Sequence, residues 1–195
     1  MGFFGNLFGG NKQESAKIDV QVYMHRAYVN QLVVDSVKVG HTAVISFFES
    51  THHHLQEMAG PDFKDNFFLY STLHNSSALT RIQSLTSSGY RILLSERFPI
   101  PKREVELMDH LKQWQIATYV TSFCALDDRI MQAFGSEKIM GMMRSMGMSE
   151  TECIQHQMIN SSLERAQKKI AEKVTYEQQA KSPDEWFKLN IPSGN

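Results

Sequence analysis

A chain of 195 residues with a formal net charge of −1 can bury one good core and carries no electrostatic footprint for nucleic acid or a strongly acidic partner. Its two cysteines, Cys124 and Cys153, fall in apolar segments and read as reduced thiols of a cytoplasmic protein, which excludes a disulfide framework. No apolar run approaches the roughly 20 residues that span a bilayer, and no stretch reads as a signal peptide.

The first stretch is M-G-F-F-G-N-L-F-G-G-N-K. Phe3, Phe4, Leu7 and Phe8 can share one apolar face of a short helix, although the glycines weaken it in water. Two readings stand for residues 1–18: a disordered tail or a weak interfacial anchor. Asn6 breaks the myristoylation pattern that Gly2 suggests. Gly5 to Lys12 only approaches a P-loop, since it lacks the Gly-Lys-Ser/Thr ending and follows no strand.

Residues 11–17 read as a polar linker. Tyr28, Leu32, Val33 and Val37 then predict a helix over 26–38, stopped by Gly40. T-A-V-I-S-F-F (42–48) is a continuous apolar run of the kind a buried parallel strand shows. A helix follows from Glu49 to Met58, ended by Gly60-Pro61. Residues 66–71 predict a second strand, 75–88 a helix, and 90–94 a third strand. Pro99 and Pro101 break the chain before a helix over 103–114. Residues 116–125, rich in β-branched and aromatic side chains, predict a fourth strand. Strands alternating with helices at this spacing predict an α/β fold, a mostly parallel sheet flanked by helices.

Beyond the sheet, Asp127 caps one helix that ends before Gly135. Ser136 caps a second that runs to Met146, with Gly147 as its left-handed terminator. Ser149-Glu150-Thr151-Glu152 has capping-box spacing and opens a third, long helix carrying Ile154, Met158, Leu163, Ala166, Ile170 and Val174. Ser182-Pro183 ends it, and Trp186 and Phe187 dock on the body. The domain reading is a tail over 1–18, an α/β domain over 19–135, a helical extension over 136–180 and a C-terminal tail over 181–195.

The middle helix concentrates Met140, Met142, Met143 and Met146 around Gly141, with Met148 just beyond. Methionine fills irregular gaps, so these side chains either pack beneath the long helix or form an adaptable partner-binding surface.

The run F-G-S-E-K-I-M-G-M-M-R-S-M-G-M, followed by I-Q-H and A-Q-K-K, resembles SecA, the motor ATPase of bacterial preprotein export. It is similar to the segment joining that family's second nucleotide-binding motor domain to its helical scaffold. The resemblance implies a RecA-like fold for the α/β domain, and for the N-terminal stretch a contact with lipid or the translocation channel. In that family ATP lies between two domains. The first supplies a P-loop and an acidic magnesium motif, neither of which has a counterpart here.

Ser95-Glu96-Arg97 matches the family's T-E-R element. The glycine- and arginine-rich motif that should follow it reads E-L-M-D-H-L-K-Q-W-Q (106–115). Asp109 stands where a glycine is expected, and His110 and Gln113 where arginines are expected. The family's A-G-R-G-T-D motif has no match. Loss of one such arginine typically costs about 10³–10⁵ in rate. The sequence therefore implies no catalytic residue and no ATP or metal cofactor.

Arg97 reads as a surface salt bridge or a remnant of the old site. His52, His53 and His54 are adjacent, so their side chains diverge and cannot share one metal. Cys153 and His156 lie three apart without a second pair. The implied function is a non-catalytic, SecA-like, cytoplasmic protein at or near the inner membrane. Its implied partner is SecA, its channel or a preprotein, met through Met140, Met142, Met143, Met146, Arg97, Phe3, Phe4 and Phe8. The alternative is an ATP-binding half-motor that completes a nucleotide site in trans, for which Arg97, Lys102 and Arg103 are the local cations.

Overall fold

The computed structural model describes residues 17–116, 119–154 and 157–191. Phe3, Phe4, Phe8 and His156 lie outside them. Five strands form one all-parallel sheet in the order β1-β5-β4-β2-β3. They are β1 (Lys17–Tyr23), β2 (Thr42–Ser46), β3 (Phe67–Leu69), β4 (Arg91–Leu94) and β5 (Tyr119–Ala125). Helices α1 (Arg26–Val39), α2 (Glu49–Ala59), α3 (Ser76–Ser87) and α4 (Pro101–Gln113) connect them in turn. This is the parallel α/β arrangement that the alternating pattern implied, and it is consistent with the RecA-like fold that the resemblance implied. Every residue of β2 is buried, because helices cover both faces of the sheet.

The two faces have separate cores. Val29, Val33 and Val37 of α1 and Leu55 of α2 pack on one side with Val44, Leu93 and Phe123. On the other, Ile82 of α3 and Leu107 and Leu111 of α4 pack with Ile45, Ile92 and Val120.

Strand β1 is a fifth strand that the sequence reading did not assign; it takes only Lys17 from the linker read over 11–17, whose other residues lie outside the described ones. Lys17–Tyr23 pairs in register with β5, from Lys17 opposite Tyr119 to Tyr23 opposite Ala125. Its alternation of Ile18, Val20 and Val22 with Asp19 and Gln21 is the pattern of a half-buried edge strand. Helix α4 begins at Pro101, two residues before the expected start, because proline at the first helical position gives up an N–H that had no partner there.

After β5 come α5 (Arg129–Gln132), α6 (Ser136–Ser145), α7 (Gln157–Lys173) and α8 (Pro183–Asn190). Gly147 adopts φ 77°, and Met148 N–H closes the α6 terminus on Met143 O at 3.1 Å. The capping-box reading at Ser149 fails. Glu152 N–H bonds Ser149 O at 3.1 Å as a turn, and Ile154 N–H then donates to Val22 O of β1 at 2.7 Å. That bridge holds Ile154 extended against β1, and α7 is described from Gln157.

The long helix also ends earlier than Ala180. Residues 174–182 form an irregular strap instead. Gln178 N–H donates to Asn190 Oδ1 at 2.7 Å, and Asn190 Nδ2 returns a bond to Gln178 O at 2.9 Å. The strap returns α8 to the sheet, where Trp186 is buried edge-on to Phe98 with ring centroids 5.8 Å apart. Trp186→Ala is expected to lower the unfolding free energy by about 3–5 kcal/mol, checked by urea denaturation followed by circular dichroism.

Candidate functional site

Ligands of open α/β sheets bind outside the carboxyl ends of the strands. In this chain that edge is built from Met24-His25-Arg26 after β1, Phe47-Phe48 after β2, Ser95-Glu96-Arg97 after β4 and Leu126-Asp127-Asp128 after β5. A cavity of about 600 Å³ opens there, lined among others by Arg26, Glu96, Asp127, Asp128, Arg129 and Asp184.

Arg26 is the hub. Its Nε donates to Asp128 Oδ1 at 2.7 Å, Nη2 pairs with Asp128 Oδ2, and Nη1 donates to Ser95 O at 2.7 Å. Asp128 also accepts Ala125 N–H at 2.9 Å, while Asp127 accepts Arg26 N–H at 2.7 Å. Burial pulls the Arg26 guanidinium down, but the Asp128 carboxylate outweighs it and holds the group above its ordinary range. It stays charged and internally neutralised.

Glu96 sits beside it, 5% exposed. Its carboxylate accepts Phe47 N–H and Phe48 N–H at 3.0 Å each and the Thr51 hydroxyl at 2.6 Å, fastening the start of α2 to the end of β4. Burial pushes its carboxyl up to about 7, against the opposing pull of Thr51, the two amides and Arg26.

Arg97 does not lie in a surface salt bridge. It is buried, and its Nε and Nη2 meet Glu104 Oε1 and Oε2 at 2.7 and 2.5 Å. Burial pulls its guanidinium down and the Glu104 charge raises it further. Glu104 also accepts Phe98 N–H at 2.9 Å, so one carboxylate closes the first turn of α4 and holds the arginine. The other two expected cations also face carboxylates. Arg103 meets Glu106 and Glu177 at 3.4 and 3.1 Å, and Lys102 lies 3.8 Å from Glu106.

Asp109 and Gln113 are exposed on α4. His110 stacks on Trp114 at 5.2 Å and meets His74 edge-on at 4.8 Å. The His52 and His53 rings lie 5.6 Å apart, and His54 lines the carboxyl-edge cavity.

The methionines divide between both readings. Met143 is buried, and Met140 and Met148 pack partly against the core. Met142 and Met146, one turn apart on α6, are 58% and 69% exposed. Cys124 is buried, which pushes its thiol up to about 12 and makes it inert.

No protein-family model matches the chain. Curated relatives do. The chain is 52% identical over 50 residues to the protein translocase subunit SecA of Christiangramia forsetii, covering 26% of this chain and 4% of the relative. It is 31% identical over 86 residues to that of Acinetobacter baylyi, covering 44% and 10%. It is 48% identical over 48 residues to that of Anaplasma phagocytophilum, covering 25% and 6%. Part of this chain is SecA-like. It spans at most a tenth of the length of these SecA relatives.

Two residues of the candidate site were not singled out in the sequence. Arg26 follows a strand, Lys17–Tyr23, that the sequence reading did not assign. Glu104 partners Arg97 across two prolines and carries no motif of its own.

Asp128→Asn leaves the part-buried guanidinium of Arg26 without its carboxylate and is expected to cost about 1–3 kcal/mol by chemical denaturation. Glu96→Gln keeps the size and hydrogen-bonding capacity of the side chain. Because burial raises the folded-state value of Glu96, its contribution is fully present below about pH 4.5 and is lost as pH rises through about 7. The stability of the native chain is therefore expected to fall relative to Glu96→Gln by on the order of 1–3 kcal/mol between pH 4.5 and 8, measured by thermal melts across that range.

Proposed function

We propose that this is a non-catalytic SecA-like protein that binds a component of the preprotein export machinery. One observation carries the reading: Arg26 and Arg97 at the carboxyl edge are each held by a carboxylate of the chain itself, the part-buried Asp128 and the buried Glu104. Guanidinium groups committed in this way are not presented to a polyphosphate, whose transfer needs charge stabilisation by uncommitted cations. The pairing of Arg103 with Glu106 and Glu177 further weakens the case for a half-motor completing a nucleotide site in trans.

What the chain offers a partner is surface. Met142 and Met146 project from α6 as an adaptable apolar pair. Among the described residues, no helix is long and apolar enough to cross a membrane. Peripheral contact at the inner membrane, through the apolar residues Phe3, Phe4 and Phe8, fits the same reading.

Two measurements test it. Calorimetry with ATP and magnesium is expected to show no binding heat, either for the purified chain or for its mixture with SecA beyond that of SecA alone. Affinity capture from a bacterial lysate is expected to recover SecA, its channel or a preprotein, and Met142→Ser with Met146→Ser is expected to cut recovery about tenfold while leaving the circular dichroism spectrum unchanged. Capture of none of these overturns the reading.

A further inference from the structure

A second concavity adjoins the carboxyl edge at Arg97, which lines both, and extends along the edge of the sheet. It measures about 630 Å³ and runs between α4 and α7 beside β1. Its apolar lining comes from Ile18 and Val20 of the edge strand and Val105 and Met108 of α4. Ile18 and Val20 face the same core as Leu107 and Leu163 but are only partly covered, and Val105 is 58% exposed. Asp109 and Lys168 stand among its charged lining residues, with both signs present.

The strand beside this groove is an edge. β1 pairs with β5 on one side. On the other, among the described residues, the backbone contact is the bridge from Ile154 N–H to Val22 O at 2.7 Å. Toward Ile18 the strand therefore offers backbone donors and acceptors next to uncovered apolar side chains, a combination that recruits further polypeptide.

The chain itself carries a suitable piece. Residues 1–8, Met-Gly-Phe-Phe-Gly-Asn-Leu-Phe, include three phenylalanines and a leucine and no charged side chain. They join the fold at Lys17, one residue before Ile18 of the groove. The intervening residues 9–16 span up to about 27 Å when extended, enough to turn back along the groove. Tethering at that length gives an effective concentration in the millimolar range, so modest apolar contact suffices for occupancy.

We propose that the groove between α4, α7 and β1 is the docking site of the chain's own segment Phe3–Phe8. Docked, the segment covers Val105, Met108, Ile18 and Val20. Released, it is free for an external apolar surface. This inference stands on the groove and the length of chain beside it, and it is independent of the export reading.

Disulfide trapping in the full-length chain tests it, with Cys153→Ala removing the half-buried native thiol and the buried Cys124 left in place. Phe8→Cys combined with Val105→Cys is expected to form an intrachain disulfide at low protein concentration. Phe8→Cys combined with Val39→Cys, on the opposite face of the sheet, is expected not to. Hydrogen exchange of the unmodified chain supplies the second readout. Removal of residues 2–12 is expected to speed exchange of the Ile18–Gln21 amides about tenfold without altering those of α1. A cross-linked dimer would assign the groove to a second copy and overturn the proposal. Equal trapping at Val39, no trapping at Val105, or unchanged exchange would overturn it as well.

Discussion

The Arg26 guanidinium joins three strand ends. It closes on Asp128 after β5 and on the carbonyl of Ser95 after β4, from its own place after β1. A charge partly withdrawn from water is best compensated where it stands, and these loops supply that compensation. Glu96 adds the fourth loop by accepting the amides that follow β2. The carboxyl edge, which open α/β sheets use for ligands, is fastened to itself.

The sheet and its carboxyl edge make different demands on the sequence. The sheet needs only buried apolar strands and helices that cover them, and the residues of β2, α1 and α4 supply both. Nucleotide chemistry needs uncommitted cations and glycines that let backbone approach phosphate. Where the SecA family resemblance implies such a loop, the chain places the regular helix α4, and its His110 stacks between Trp114 and His74 instead of facing the cavity. Arg97 is retained, but Glu104 holds it in the protein interior. The C-terminal strap reinforces this closure, with Glu177 bonding both Arg103 and the indole N–H of Trp186.

Much of the fold was legible because its signals are local. The apolar run of β2, the spacing of α1 and the glycine after α6 each report a single element. The misreadings have a common physical origin in contacts between distant residues. Ser149 to Glu152 reads as a capping box, yet the bond from Ile154 to Val22 keeps that stretch out of a helix. Gln178 leaves the helical path because Asn190, twelve residues on, satisfies both of its backbone groups. The strand at Lys17 was hidden by its exposed partners, Asp19 and Gln21. The site was less legible for the same reason: Arg97 stood out as a motif remnant, but its burial depends on Glu104, and Arg26 gained meaning only once β1 was in place.

The central claim is that the carboxyl-edge arginines are occupied by the chain's own carboxylates. Nuclear magnetic resonance of the Arg26 and Arg97 Nε–H groups, recorded with and without magnesium ATP, tests this most directly. Both protons are expected to exchange slowly with water and to keep their shifts when nucleotide is added. Rapid exchange in the free protein, or displacement of either signal by ATP, would contradict it.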